Sequence, residues 1–446
     1  MRRWSLALAL LAGCAPSSQL FLHVDTDAPV PQLFDRLRIE LERGGASLAS
    51  RDFAVDAALF ADGRASIGAA LPEGDGALLA RVELFRGDRT VDGVPPAAIT
   101  ITTVAALPPL GHQGALDVTV RLHTDDIGQP QGSADAPIVP DPGGPGPSAV
   151  NSWPGAQPTD CAGAPGPDEV CVPGGAYFMG DPLVNNDLAG DDANLERLVA
   201  ISPFFLDARE VTVADFRAHG NAAPAIVGHD LVPWNGTDDP NQRSTWCTYT
   251  DGPQAADPGD THAALPLDCV DAIVAVAYCA ALGKRLPTEA ELEFVASGRG
   301  EERSFVWGGD VPGCVDAVWG LGGAGAKFAY ADECLPPGEI GGPLPPGSGV
   351  RDRLTLAGGE LVDLAGNLSE WARDRWSRQD EAFWSRPGVF RDPLADFPST
   401  DGNEQTVRGG WWYIGPVGLR AAIRQHHSIG FASDAIGFRC ARSDVP

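Results

Sequence analysis

Gly283-Lys284-Arg285-Leu286-Pro287-Thr288-Glu289-Ala290-Glu291 is the stretch that decides how the last two-thirds of the chain folds. Thr288 and Glu291 form a capping box: the Thr288 hydroxyl accepts from a first-turn amide, and the Glu291 carboxylate reaches back to the Thr288 amide. A helix therefore starts there and runs to about Ser297, before Gly298. Upstream, Val270 to Leu282 carries Ala and β-branched residues on all sides, which predicts a buried helix that Gly283 stops. Working outward, Thr212-Val213-Ala214-Asp215 caps a short helix ending at Gly220. The rest of 161–446 is Gly-, Pro- and Trp-rich with short strands, so this domain is read as loop-rich α+β with few helices.

Long loops need bracing. Cys161, Cys171, Cys247, Cys269, Cys279, Cys314, Cys334 and Cys440 all lie in this part of the chain. Eight thiols allow 105 pairings. Proximity in sequence favours Cys161–Cys171, Cys247–Cys269 and Cys314–Cys334, which leaves Cys279–Cys440. No pair has the short spacing of a redox or zinc motif, so structural bridges in an oxidising compartment are expected.

Residues 18–125, within a domain expected over 14–125, alternate apolar and polar with period two. Leu37, Ile39 and Leu41 interleave with Arg38, Glu40 and Glu42, and Leu116, Val118, Val120 and Leu122 with Asp117, Thr119 and Arg121. Six or seven such strands predict a small all-β sandwich. Residues 126–160 hold 8 Pro and 6 Gly among 35 positions and no Lys or Arg, and are expected to form an unfolded, partly extended linker.

The chain opens with Arg2-Arg3, a nine-residue apolar run from Trp4 to Ala12, and then Gly13-Cys14. The run is too short to span a bilayer, so residues 1–13 read as an export signal. Leu11-Ala12-Gly13-Cys14 is similar to a bacterial lipobox, which implies an acylated Cys14 and, with Ala15 rather than Asp following, an outer-membrane address. Membrane contact is expected through that lipid anchor only. With 32 Lys+Arg against 60 Asp+Glu, a formal charge of -28, nucleic acid is excluded as a partner.

Six blocks in the C-terminal domain resemble the formylglycine-generating-enzyme (sulfatase-modifying factor) family, a variant of the C-type-lectin fold. They are Val172 to Gly180, Phe205 to Thr212, Gly283 to Glu291, Asp363-Leu364-Ala365-Gly366-Asn367-Leu368-Ser369-Glu370-Trp371, Arg408-Gly409-Gly410-Trp411-Trp412, and Gly437-Phe438-Arg439-Cys440. The resemblance also implies the Cys279–Cys440 bridge. Residues 1–160 lie outside it.

The family's catalytic members hold copper(I) on two thiols five residues apart, just after the Gly-Gly block, and soft thiolates are what that ion prefers. Counted from Gly409-Gly410, those places are Ile414 and about Leu419, both apolar. Copper is therefore not expected. His426-His427 is the one close histidine pair, and on a strand the two side chains point to opposite faces. Calcium, with its preference for carboxylates and carbonyls, is the expected ion. By resemblance it would use the side chains of Asp363 and Glu370 and the carbonyls of Gly366 and Leu368, unless Glu370 pairs with an arginine such as Arg373 or Arg408. Trp411, Trp412 and Tyr413 stand where the family has its cleft wall and are candidates for gripping a protein, peptide or sugar. The expected protein is an envelope lipoprotein whose family domain is a non-catalytic, calcium-stabilised binding or scaffold module. An oxidoreductase using an unrecognised metal site and a purely structural envelope component are the two other readings.

Overall fold

The computed structural model describes residues 18–71, 76–108, 115–182, 184, 194–219, 231–233, 236, 246–250, 260–322, 333–336, 339, 341–396 and 402–444. The signal at 1–13, Cys14 and Gly220 lie outside them. The chain divides into two compact units, Met1–Trp153 and Pro154–Pro446. No helix among the described residues is long and apolar enough to cross a membrane.

The first unit consists of two four-stranded sheets. Ser18–Thr26 pairs antiparallel with Ser66–Leu71 and parallel with Ala115–Leu122, and Arg36–Arg43 lies between Ala46–Ala54 and Leu78–Phe85. The period-two pattern is explained by burial. Leu37, Ile39 and Leu41 are fully buried, as are Leu20 and Leu22, while the residues between them face outward.

The linker expectation fails over 126–153. The Gly128 amide donates to the Thr100 carbonyl at 3.0 Å, Gln131 to Thr102 at 2.8 Å and Ile138 to Val104 at 2.9 Å. Asp141–Pro142 adds a short strand to Ala115–Leu122. Trp153, 1% exposed, ends the unit with its indole donating to Asp125 Oδ1. The composition misled because backbone groups need no apolar side chains to pair with a sheet edge. Residues 154–160 go with the second unit, where the Gly174 amide donates to the Thr159 carbonyl.

The second unit is loop-rich α+β. Glu289–Ala296 carries the capping box, with Glu291 N to Thr288 Oγ1 at 3.1 Å and Thr288 N to Glu291 Oε2 at 2.7 Å. All eight of its residues are buried, its three glutamates included. Arginines make that tolerable. Arg424 binds Glu289 at 3.0 Å, Arg408 binds Glu293 at 2.5 Å and Arg285 binds Glu291 at 2.7 Å. Ala272–Ala281 is capped by Asp271, which accepts from Val274 N at 2.8 Å. It is buried on one side only; Val276 is 47% exposed, so the all-round burial expected from its composition is not found. The short helix Val213–His219 is the third of those expected, and Ala382–Ser385 adds a single helical turn.

Four bridges tie these loops: Cys161–Cys171, Cys247–Cys269, Cys279–Cys440 and Cys314–Cys334. Three are the pairs that sequence proximity favours. The fourth, Cys279–Cys440, is the pair left over and the one the resemblance implies, and together they fit an extracytoplasmic setting. At the centre, Glu404–Arg408 lies between Arg424–Ser428 and Ser369–Arg375 in one sheet, and Ile436–Gly437 pairs parallel with Ser369–Glu370. That last pairing carries Arg439 to the side of Glu370.

Candidate functional site

Two glycines turn the chain out of the strand Glu404–Arg408. Gly409 has φ 80°, and a Cβ on Gly410 would meet the Ala365 and Gly418 carbonyl oxygens at 2.8 and 2.9 Å. The turn that follows places Ile414 and Leu419, 2% and 1% exposed, in the main apolar core. Gly418 presses on Ile414 so closely that a Cβ there would lie 2.2 Å from Ile414 Cγ1. A thiolate at either place would be a charge in an apolar wall. Beside Gly409 a cavity of about 20 Å³ remains, bordered by Leu364, Leu368, Glu370, Arg408 and Arg420. That is room for roughly one water molecule.

The aromatic wall is also closed. Trp411 is 6% and Trp412 2% exposed, so neither offers a face to a ligand, which corrects the expectation of a gripping surface. Trp412 packs on Val318 and Leu368, and its indole donates to the Asp434 carbonyl at 2.8 Å. Tyr413, half-buried, meets both tryptophans edge-on at 5.6 and 4.5 Å. His426 stacks on Trp376 at 4.3 Å and contacts Glu404, while His427 stacks on Phe431 at 4.5 Å.

The Gly366-Asn367 turn is held from below by carboxylates. Asp352 accepts from the amides of Leu364, Ala365 and Gly366 at 2.8–3.0 Å. Glu210 accepts from Asn367 Nδ2 at 2.7 Å and from the Leu368 amide at 2.9 Å. Asp363 and Asn367 both adopt positive φ, 53° and 69°, and the Gly347 amide donates to Asp363 Oδ2. Arg439, fully buried, donates through Nε to both oxygens of Glu370 at 2.7 and 2.9 Å, and through Nη2 to the Val362 and Asp363 carbonyls at 2.8 Å.

Four buried acids thus share one buried guanidinium, and burial dominates their titration. It pushes Glu210 well above the usual carboxylate range, with Asp363 and Glu370 adding to the push. Asp352 rises to about 6 and Asp363 to about 7, burial first and the Asp352 charge next in the latter. Burial also raises Glu370, against the pull of Arg439. In the helix region burial and Glu289 lift Asp374 to about 7.

The predicted calcium set does not fit this geometry. Both oxygens of Glu370 face Arg439, and a dication against them would sit beside a buried guanidinium at low dielectric. Of the two carboxylates in that set, only Asp363 keeps an oxygen, Oδ1, that is buried with no hydrogen-bond partner. The partner of Glu370 is Arg439, not Arg373 or Arg408. The sequence blocks contained Glu210 and Arg439, but nothing in their spacing says that they meet. Asp352 lies in no block.

The pH dependence has a definite sign. A raised carboxyl pKa means that the native state holds the proton more tightly than the unfolded chain. The contribution of Asp352, Asp363 and Asp374 is complete below about pH 4 and is lost as pH climbs through 6–7. Glu169, lowered to about 2 by Arg442, the Gly166 amide and Lys284 against its own burial, changes only in acid. Melting temperature is therefore expected to fall between pH 5 and 8 at fixed ionic strength. A rising or flat profile would contradict these environments.

A family model described as "Sulfatase-modifying factor enzyme 1-like domain" matches residues 155–444. The chain belongs to this family. Formylglycine-generating enzyme of Bos taurus is 27% identical over 338 residues, covering 67% of this chain and 79% of the relative. That of Thermomonospora curvata is 27% identical over 310 residues, covering 61% and 92%. The inactive Cα-formylglycine-generating enzyme 2 of Bos taurus is 25% identical over 299 residues, covering 61% and 87%. Among solved structures, PvdO from Pseudomonas aeruginosa superposes with a TM-score of 0.41 at 24% identity, over 64% of this chain and 99% of that one. Membership of the sulfatase-modifying factor family fits the few helices, many loops and short strands of the second unit. Among the described residues, three or more metal-type ligands converge at one place, Cys247, Asp268 and Cys269, where the two sulfurs are already joined.

Proposed function

We propose that this chain is an exported, lipid-anchored and non-catalytic member of the family, acting as a binding or scaffold module of the cell envelope. The observation that carries the reading is the burial of Ile414 and Leu419 in the apolar core, where the resemblance places the copper thiols. The eight cysteines of the second unit are consumed in four bridges, so none offers a replacement thiolate. Calcium, if supplied to this domain, finds one open carboxylate oxygen at Asp363 and none at Glu370, so rigidity of the Gly-Asn turn comes from Asp352, Glu210 and Arg439.

The test is oxidation of a cysteine peptide carrying a sulfatase motif, followed by mass spectrometry with copper(I) and oxygen present. No formylglycine is expected, and turnover above the peptide-alone control would sink the reading. Anchoring rests on Cys14. Cys14→Ser is expected to move the protein from the membrane to the soluble fraction, since the acyl chains supply the membrane affinity. Retention of C14S on the membrane would contradict the lipid anchor.

A further inference from the structure

The second unit holds a larger cavity, about 260 Å³, that the family's cleft does not account for. Its wall includes Tyr278, Asp207, Asp215, Lys284, Arg209 and Asp168. A cavity of that volume has room for a small organic molecule rather than a single water. Its two strong bases are already matched. Lys284 Nζ lies 2.5 Å from Asp207 and 3.1 Å from Glu169, and Arg209 forks onto Asp215 at 2.6 and 3.3 Å. Asp168 stands exposed at the rim, its side chain making no ion pair among the described residues. The balance is acidic.

Tyr278 is the second, independent feature. It is 3% exposed, its ring held by Phe216, stacked at 5.6 Å, and by the edge of Phe438 at 5.5 Å. Tyr278 lines the cavity, and its hydroxyl makes no hydrogen bond among the described residues. A hydroxyl that faces the cavity without a protein partner is left to water or to a ligand's donor. Burial, then Asp215 and Asp207, raise its pKa against the opposing pull of Arg209, so it stays neutral. Val211, Leu282 and Pro167 supply apolar surface beside it.

We propose that this cavity binds a small organic cation, a primary ammonium or guanidinium on a short apolar stem, with the Tyr278 hydroxyl accepting from the head group. Asp168, exposed and making no ion pair among the described residues, supplies the attracting charge, and the stem lies on Val211 and Leu282. The inference goes beyond the non-catalytic reading and does not rest on it, because the cavity shares no residue with the Gly409–Leu419 turn.

The experiment is a calorimetric titration of the mature protein with n-butylammonium, n-butanol and butyrate. The ammonium is expected to bind at least tenfold tighter than the other two, and more weakly as salt rises. Tyr278→Phe is expected to weaken ammonium binding about tenfold, the loss of one charge-assisted hydrogen bond. Asp168→Asn, at the exposed rim where folding is not at stake, is expected to weaken it severalfold. A capped lysine amide run in parallel distinguishes a protein side chain from a free amine as the source. Equal binding of butanol or butyrate, or unchanged affinity in both Y278F and D168N, would overturn the proposal.

Discussion

Arg439→Met is expected to cost about 3–5 kcal/mol, the range for removing one partner of a buried ion pair. Arg439 is fully buried and is the cation that Glu370, Glu210 and Asp363 share. Without it Glu370 loses its donors, and the carbonyls of Val362 and Asp363 lose theirs as well. The loss is a large fraction of the 5–15 kcal/mol that a domain of ordinary stability has in total. Glu370→Gln should cost less. Its amide oxygen still accepts from Arg439, and the guanidinium still faces Glu210 and Asp363. Urea unfolding of both variants checks the order. Because Arg439 does the neutralising, the two losses should be the same with calcium and with chelator. A Glu370→Gln loss seen only with calcium present would restore the ligand set that the resemblance implied.

Removing the Cys279–Cys440 bridge is the second large effect. It closes 161 residues, against 10 for Cys161–Cys171. The chain-entropy relation gives about 5 kcal/mol for the long loop and about 3 for the short one at 25 °C. Both sulfurs of the long bridge are fully buried, so the alanine pair also leaves a small cavity. C279A/C440A is therefore expected to lower the melting temperature of the Pro154–Pro446 unit by on the order of 10 °C. C161A/C171A should lower it by clearly less. The reverse order would show that the long bridge constrains little in the unfolded chain.

What could be read from the sequence was what short spacing decides. The capping box at Thr288–Glu291 is a three-residue pattern, and it is present with both hydrogen bonds. The alternation around Leu37, Ile39 and Leu41 reports one face of one strand. What could not be read depends on distant partners. Glu370 and Arg439 are 69 residues apart, and Glu210 and Asn367 are 157 apart. The carboxylate at 370 looked free for a metal because its neutralising charge arrives through the parallel pairing of Ile436–Gly437 with Ser369–Glu370. Trp411 and Trp412 could serve a cleft or a core with the same side chains, and packing on Val318 and Leu368 places Trp412 in the core. In 126–153, Pro and Gly content hid backbone pairing, which composition does not encode.

Titration of the mature, oxidised protein with copper(I) against a competing chelator tests the central claim most directly. The account predicts no stoichiometric binding and no free thiol, because apolar Ile414 and Leu419 fill the places of the sulfur ligands. One equivalent of copper(I) held on sulfur would contradict it.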